Sequence, residues 1–214
     1  MKKLWLFNAG GNLEQVRHEV VRGGEYAIAD VSTFEDGEYG SQLVPDRATL
    51  SQVRQAGGYC FIVGNERMLN QARLAAYMAI KAGGGKVIAL QSIGSSVAEG
   101  VRFRENVWID HGARILSGAN IGANIGANTW VMQNSEIGAN CKVGSSCWIG
   151  PNCQISEGAT LGKNCTLGRG SVIGPDVVLP DWSSIGSNVI LTKSPKNILF
   201  MDPRFRSPVH IFNG

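Results

Sequence analysis

Long apolar runs are missing from this chain of 214 residues. None approaches the roughly 18 residues that a membrane helix needs. The opening Met1-Lys2-Lys3 has the charge of a secretory leader, yet its apolar stretch ends at Phe7 and no apolar region follows. A cytoplasmic protein without membrane insertion is expected. Charge of one sign is scarce as well. The net charge of +3 is too small to imply a nucleic-acid partner. Only three histidines exist, so few residues can do imidazole chemistry. Prolines number seven against 28 glycines, and the glycines crowd the second half.

Those glycines belong to a repeat. From Ile125, steps of six residues meet Val131, Ile137, Val143, Ile149, Ile155, Leu161, Leu167, Ile173, Leu179, Ile185 and Leu191, all branched aliphatics. Two places before each stands a small residue: Ala123, Thr129, Ser135, Cys141, Cys147, Cys153, Ala159, Cys165, Ser171, Val177, Ser183 and Val189. A leading run at Val97, Phe103, Ile109, Ile115 and Ile121 is out of phase by four residues. The offset lies where Ile-Gly-Ala-Asn occurs twice, between Asn120 and Asn128, so a corner must absorb a four-residue duplication.

Each hexad reads as a short strand plus a turn, and three hexads close one triangular coil. The aliphatic fills the prism, and the small residue points inward near a corner where bulk does not fit. Glycine and asparagine accept the turn dihedrals. From about Val97 to Leu191 the chain is therefore expected to be a left-handed parallel β-helix. Its crossover is opposite to the usual hand.

The same columns explain the cysteines. Cys141, Cys147, Cys153 and Cys165 occupy inward slots, which do not converge on one tetrahedral ion, so they read as core thiols and no metal site is expected. Cys60 lies in the apolar run Tyr59 to Val63 and reads as buried strand. Nothing suggests disulfides, which suits a reducing compartment.

The first ninety residues follow different rules. Strands are expected at Leu4–Phe7, Tyr26–Val31, Phe61–Val63 and Lys86–Leu90. Helices are expected at Leu13–Val21, Leu50–Gln55 and Arg67–Lys81. Alternating strands and helices imply a Rossmann-like parallel α/β sheet with ligands at the strand C-termini. Residues Asn8-Ala9-Gly10-Gly11-Asn12 form a glycine turn after the first strand. That turn suits either a phosphate at a helix N-terminus or a tight turn with no ligand. Asp30 either binds ribose hydroxyls or ends a strand. The expected units are 1–92, 93–195 and a tail, 196–214, whose Leu199, Phe200, Phe205 and Phe212 cap the last coil.

Together the Asn8 to Asn12 turn, the run Ile62-Val63-Gly64-Asn65-Glu66 before a helix, and the hexads resemble the bacterial hexapeptide-repeat acetyltransferases of sialic-acid and bacillosamine biosynthesis. The resemblance implies a homotrimer that transfers an acyl group from acetyl-CoA to a sugar, often nucleotide-linked, for surface polysaccharide. It places the nucleotide part of the acceptor on Asn8, Gly10, Gly11, Asp30 and Asn65. It places coenzyme A in a groove between β-helices, with its phosphates near Gly162, Lys163, Gly168, Arg169 and Lys193.

The chemistry departs from the family. Acyl transfer needs a base for the acceptor and a donor for the thioester oxyanion. The family's histidine sits second after the aliphatic in a hexad resembling Ile-Asp-His-Asp-Cys. The best alignment places that hexad on Ile137-Gly138-Ala139-Asn140-Cys141, and the customary Val-His-Ile becomes Cys147-Trp148-Ile149. Both histidines are absent. His111, after Asp110, has the right place within its own hexad and is the candidate base, or else an exposed turn residue. Glu136 and Asn140, with Gln133, Asn134 and Asn152, are the polar residues near the lost site. Two functions follow: an acyltransferase using His111 or no protein base, and a non-catalytic trimer that binds a nucleotide sugar or serves as a scaffold.

Overall fold

The computed structural model describes residues 1–9, 13–33, 45, 47–64, 71–117, 124–201 and 209–211. The N-terminal unit comprises β1 (Lys2–Asn8), α1 (Leu13–Gly23), β2 (Tyr26–Thr33), α2 (Arg47–Gln55), β3 (Tyr59–Val63), α3 (Gln71–Ala82) and β4 (Lys86–Val87). Its strands pair in parallel in the order β2-β1-β3-β4. β1 is buried on both faces from Leu4 to Phe7, as its apolar run requires. Trp5 and Phe7 meet Leu50 and Val53 of α2 and Ala76 and Ile80 of α3. Leu4 and Leu6 face the other way, onto Val16 and Val20 of α1. The pairs Val16/Val20 and Ala76/Ile80 are each one helical turn apart, so each helix buries a single stripe.

Among the described residues, seventeen two-residue strands then wind into a three-sided prism, from Leu90–Gln91 to Ile190–Leu191. Leu90–Gln91 already pairs with Trp108–Ile109, so the first coil begins ahead of Val97 and inside the span expected for the α/β unit. The expected fourth strand shortens to Lys86–Val87 for the same reason. The first face carries Trp108–Ile109, Trp130–Val131, Trp148–Ile149 and Thr166–Leu167 in register. The second carries Arg114–Ile115, Glu136–Ile137 and Gln154–Ile155, and the third Arg102–Phe103, Asn124–Ile125 and Lys142–Val143. The hexad aliphatics from Ile109 to Ile185, Ile121 aside, form one buried cluster. Parallel sheets built from these hexads are those of a left-handed β-helix.

The four extra residues enter between Ile115 and Ile125. Ile125 still stacks on Phe103 below and Val143 above, so the insertion leaves the register of the prism intact. Residues 118–123, Ile121 among them, lie outside the described residues.

Corner geometry repeats along the solenoid. The third residue after the aliphatic has positive φ at Asn106, Asn128, Asn134, Asn140, Ser146, Asn152 and Asn164, and at Gly112, Gly158 and Gly170. Asparagine and glycine tolerate that left-handed conformation, which explains both compositions. The small inward slot has a second requirement that volume does not capture. Cys147 Sγ donates to Gly162 O at 3.1 Å, as Thr129 Oγ1 does to Gly144 O at 2.9 Å and Ser135 Oγ to Gly150 O at 2.7 Å. Where the slot holds cysteine, serine or threonine, the side chain thus ties that corner to the next coil. All five thiols are free and buried, and burial pushes Cys141 and Cys153 up to about 11.

The α/β sheet docks on the first face of the solenoid through a tryptophan ladder. Ring centroids of Trp108 and Trp130, and of Trp130 and Trp148, are 5.9 Å apart, the latter pair stacked. Phe61 of β3 lies 5.9 Å from Trp130. Rings of this kind bury about 150–250 Å² each, about 4–6 kcal/mol gross apiece. Arg73 of α3, 1% exposed, lies over Trp130 and Trp148 and donates Nη2 to Cys147 O. The tail closes the far end. Ile198–Met201 pairs with Ser184–Ile185, and Leu199 joins the prism core. Phe205 and Phe212 lie outside the described residues.

Candidate functional site

The edge between the first and second faces stacks Asp110-His111-Gly112, Met132-Gln133-Asn134, Gly150-Pro151-Asn152 and Gly168-Arg169-Gly170, one corner per coil. Beside it lies a groove of about 450 Å³ whose walls include Gln15, Gln133, Trp148, Pro151, Thr166 and Arg169. Gln15 belongs to α1, directly after the glycine turn. The first-face column changes from tryptophan to Thr166 here, which leaves the space open.

Asp110 stands behind the inner wall of this groove. It is fully buried, and its Oδ1 accepts hydrogen bonds from Gln15 Nε2 and from the His111 backbone at 2.7 Å. The Gln133 backbone N–H also donates to the carboxylate. Burial pushes the carboxyl above its ordinary value, while the two backbone amides oppose the rise. Among the described residues, its Oδ2 receives no hydrogen bond, nor does the buried Gln133 Oε1. One helical turn after Gln15, Glu19 accepts from Ser92 Oγ at 2.9 Å and Ile93 N at 3.0 Å. Burial raises the pKa of Glu19, but those bonds and Arg22 outweigh it and hold the carboxyl below its usual range.

His111 is exposed, and its ring covers Gly94, where an added Cβ would lie 2.0 Å from Nδ1. It flanks Asp110 without lining the groove. His18 projects from α1, its side chain 68% exposed. His210 is in a tail strand opposite Leu199.

The structure divides the other expected catalytic residues. Glu136 is on the second face and pairs with Arg114. Asn140 is at the second–third edge, in a left-handed turn, where its Nδ2 donates to Glu157 Oε1 at 3.3 Å. Each hexad turns the chain by a third of the prism, so neighbours in sequence diverge onto different sides. Neither residue joins Asp110 within this chain.

The expected coenzyme residues separate in the same way. Gly168 and Arg169 line the groove. Gly162 and Lys163 are at the third–first edge, where Lys163 N donates to Asp181 Oδ1 at 2.7 Å. Lys193 follows the last second-face strand. Of the expected nucleotide residues, Asn8 ends β1 opposite Val63 and Thr33, and Asp30 is exposed on β2 opposite Trp5. Gly10, Gly11 and Asn65 lie outside the described residues.

A larger cavity of about 890 Å³ opens on the third face, lined by Arg102, Arg104, Lys142 and Tyr77. It lies away from Asp110 and the strand ends, so size does not decide the site. Sequence reasoning names Gln133 only among the polar residues near the lost site and misses Gln15. The available signal is the pair Gln15 and Glu19, spaced by one turn on the side of α1 that meets the solenoid.

The family of bacterial transferase hexapeptide (six repeats) matches residues 140–175. Those residues carry the bacterial transferase hexapeptide repeat. No curated protein sequence matches the hexapeptide chain. Its fold is similar to PerB of Caulobacter crescentus, a structure in complex with CoA and GDP-perosamine. The TM-score is 0.76 at 20% identity, over 91% of this chain and 90% of that one. WeeI from Acinetobacter baumannii AYE gives 0.72 at 15% identity, over 95% and 98%. The acetyltransferase domain of PglB from Neisseria gonorrhoeae FA1090, in complex with acetyl coenzyme A, gives 0.66 at 15%, over 91% and 93%. The similarity of fold extends over both units of the chain.

Proposed function

We propose that this protein is an acyltransferase that moves an acetyl group from acetyl-CoA to a nucleotide-linked sugar. The observation that carries the reading is the groove itself. It brings Gln15, which follows the glycine turn, together with Gln133 and Arg169 of the solenoid edge. The fold match to proteins solved with CoA, acetyl-CoA or GDP-perosamine supports it.

The Rossmann-like unit, residues 1–92, takes the nucleotide at the C-terminal ends of β1 and β3. Arg169 fits a phosphate through its guanidinium, beside Gly168, whose N–H is held by Ile185 O. The acceptor nucleophile forms its bond to the acyl carbon, the carbon–sulfur bond breaks, and the thiolate takes the acceptor's proton. The active form is a cytoplasmic homotrimer serving surface-polysaccharide assembly, with residues 93–195 as the acyltransferase unit and 196–214 as its cap.

A second reading is a non-catalytic trimer that keeps nucleotide-sugar binding. One observation favours it: no described histidine lines the groove. Thiol release from acetyl-CoA with a nucleotide-sugar acceptor separates the two. Turnover that falls at least tenfold in Arg169→Ala supports transfer. Nucleotide-sugar binding without thiol release supports the second reading.

A further inference from the structure

The third face of the solenoid gathers positive charge and offers no acid against it. Its outward positions run Arg102, Asn124, Lys142, Thr160 and Val178, in register on successive strands, and none is a carboxylate. The second face is built differently. There Arg114 stands beside Glu136 on the next strand and pairs with it. Arg102, Arg104 and Lys142 are all exposed, and among the described residues none of them has an ion pair or a side-chain hydrogen bond. Like charges along one sheet face repel. The column is therefore less stable empty than with an anion upon it.

The three cations share the cavity of about 890 Å³ that opens on this face. Tyr77 of α3 contributes to its wall, so the site is concave and bridges the α/β unit and the solenoid. The carboxylate in the described wall, Glu105, is already committed. It accepts from Tyr77 Oη at 3.1 Å and from Lys81 Nζ at 2.8 Å. Burial first, then the bond to Glu105, pushes the Tyr77 phenol up to about 12, so it stays neutral and adds no negative charge. Arg102 and Lys142 stand two strands apart, about 10 Å at the usual spacing. Arg104 is two residues from Arg102. A single small anion answers one of these charges, whereas a chain of linked phosphates reaches several. A guanidinium grips phosphate oxygens in pairs, and an ammonium adds a point charge.

We propose that the third-face cavity is a second anion site, separate from the groove, for a small ligand that carries two or more linked phosphates. Arg102, Arg104 and Lys142 hold the phosphates, and the ligand bridges α3 and the solenoid. The inference does not rest on the transfer reading, because Arg169 and the groove lie on a different edge of the prism. The phosphate chain is either free, as in an inorganic polyphosphate, or part of a nucleotide.

The test uses tripolyphosphate and GTP, which carry the same number of phosphates, on the full-length protein at physiological salt. Calorimetry should show saturable binding of tripolyphosphate that weakens at least tenfold in the double variant Arg102→Gln/Lys142→Gln. Both side chains are exposed, so the fold survives their replacement. Lys3→Gln/Arg47→Gln removes the same charge from exposed positions elsewhere and should leave the affinity unchanged, as should Arg169→Ala. Tripolyphosphate should also raise the melting temperature of the native protein and leave that of Arg102→Gln/Lys142→Gln unmoved, since a ligand stabilises the fold that binds it. Provided that the third-face variant loses both ligands, GTP no tighter than tripolyphosphate assigns the site to the phosphate chain, and GTP at least tenfold tighter assigns it to a nucleotide. Absence of saturable binding at millimolar tripolyphosphate would overturn the inference. So would an affinity that survives Arg102→Gln/Lys142→Gln, an equal loss in Lys3→Gln/Arg47→Gln, or a loss in Arg169→Ala alone. None of these outcomes bears on thiol release from acetyl-CoA, which tests the transfer reading by itself.

Discussion

Asn106 Nδ2 donates to Asn128 Oδ1 at 2.8 Å, one coil away on the third–first edge, and the same side chain extends the edge of β3. Its Oδ1 accepts from Ile62 N at 2.8 Å and its Nδ2 also reaches Ile62 O at 3.1 Å. β4 has ended at Val87, so Asn106 supplies the hydrogen bonds that another strand residue would have made. Asn128 continues the chain of amides to Ser146 Oγ at 3.1 Å. One side chain thus joins the α/β unit to two coils.

Asn106→Ala removes three buried hydrogen bonds and leaves both polar groups of Ile62 unpaired. The expected loss is about 2–4 kcal/mol, since each stranded group costs about 1–3 kcal/mol and part is regained by relaxation. Ala also has to hold φ of 53° without asparagine's tolerance. Urea unfolding followed by tryptophan fluorescence measures it. A loss under about 1 kcal/mol would mean that the amide ladder does not join the units.

The solenoid was legible because each hexad is dictated locally: aliphatic inward, small residue at the corner, asparagine or glycine at positive φ. The docking surface was not. Trp108, Trp130 and Trp148 stand just before their aliphatics, but the inserted segment makes their spacing unequal, and no regular period marks them. The groove was hidden for a related reason. Asp110 and Gln133 are adjacent only because one coil has 22 residues where the next has 18, as Asn106, Asn128 and Ser146 show. An alignment made in hexads alone therefore places the expected site at Ala139 and Asn140, on a different edge. Gln15 comes from another unit, and only packing brings it to Asp110.

Cys147 tests whether the inward slot selects for volume or for a donor. Its thiol hydrogen-bonds Gly162 O at 3.1 Å. Cys147→Ser keeps the donor, as at Ser135, and is expected to cost under about 1 kcal/mol. Cys147→Val keeps the apolar bulk and loses the donor, at about 1–3 kcal/mol. Thermal unfolding of both variants ranks them. If valine is the better tolerated, volume alone governs the column.

Gly144 tests the close approach of successive corners. A Cβ there would lie 2.5 Å from Gly162 O and 2.6 Å from Gly162 C, both backbone atoms that cannot swing away. Gly144→Ala must separate two coils and is expected to cost about 2–3 kcal/mol, the upper range for overpacking. Gly24, with open space around it, is a control for strain without contact, since its φ is +67°. Gly24→Ala should cost about 1–2 kcal/mol, the usual left-handed penalty. Equal losses at the two sites would mean that coil spacing adjusts freely.

Asp110 and Glu19 should give opposite pH dependences of stability from one edge of the molecule. The folded pKa of Asp110 is raised, by burial first, so the folded protein binds that proton more tightly than the unfolded chain does. Its contribution is fully present below the unfolded value, about 4, and is lost as pH rises through the folded value. Glu19 has a lowered folded pKa, because hydrogen bonds from Ile93 and Ser92 and the charge of Arg22 outweigh burial. Its contribution is present above the unfolded value and is lost as pH falls through the folded one. A tenfold difference in proton affinity between the folded and unfolded chain is worth about 1.4 kcal/mol. Urea unfolding between pH 3 and 8 should therefore show the difference between native protein and Asp110→Asn shrinking as pH rises. The difference from Glu19→Gln should shrink as pH falls. Because the Glu19 charge helps to raise Asp110, the Asp110 slope should also weaken in a Glu19→Gln background. A flat Asp110 difference across that range would mean that burial does not change the proton affinity of this carboxyl on folding.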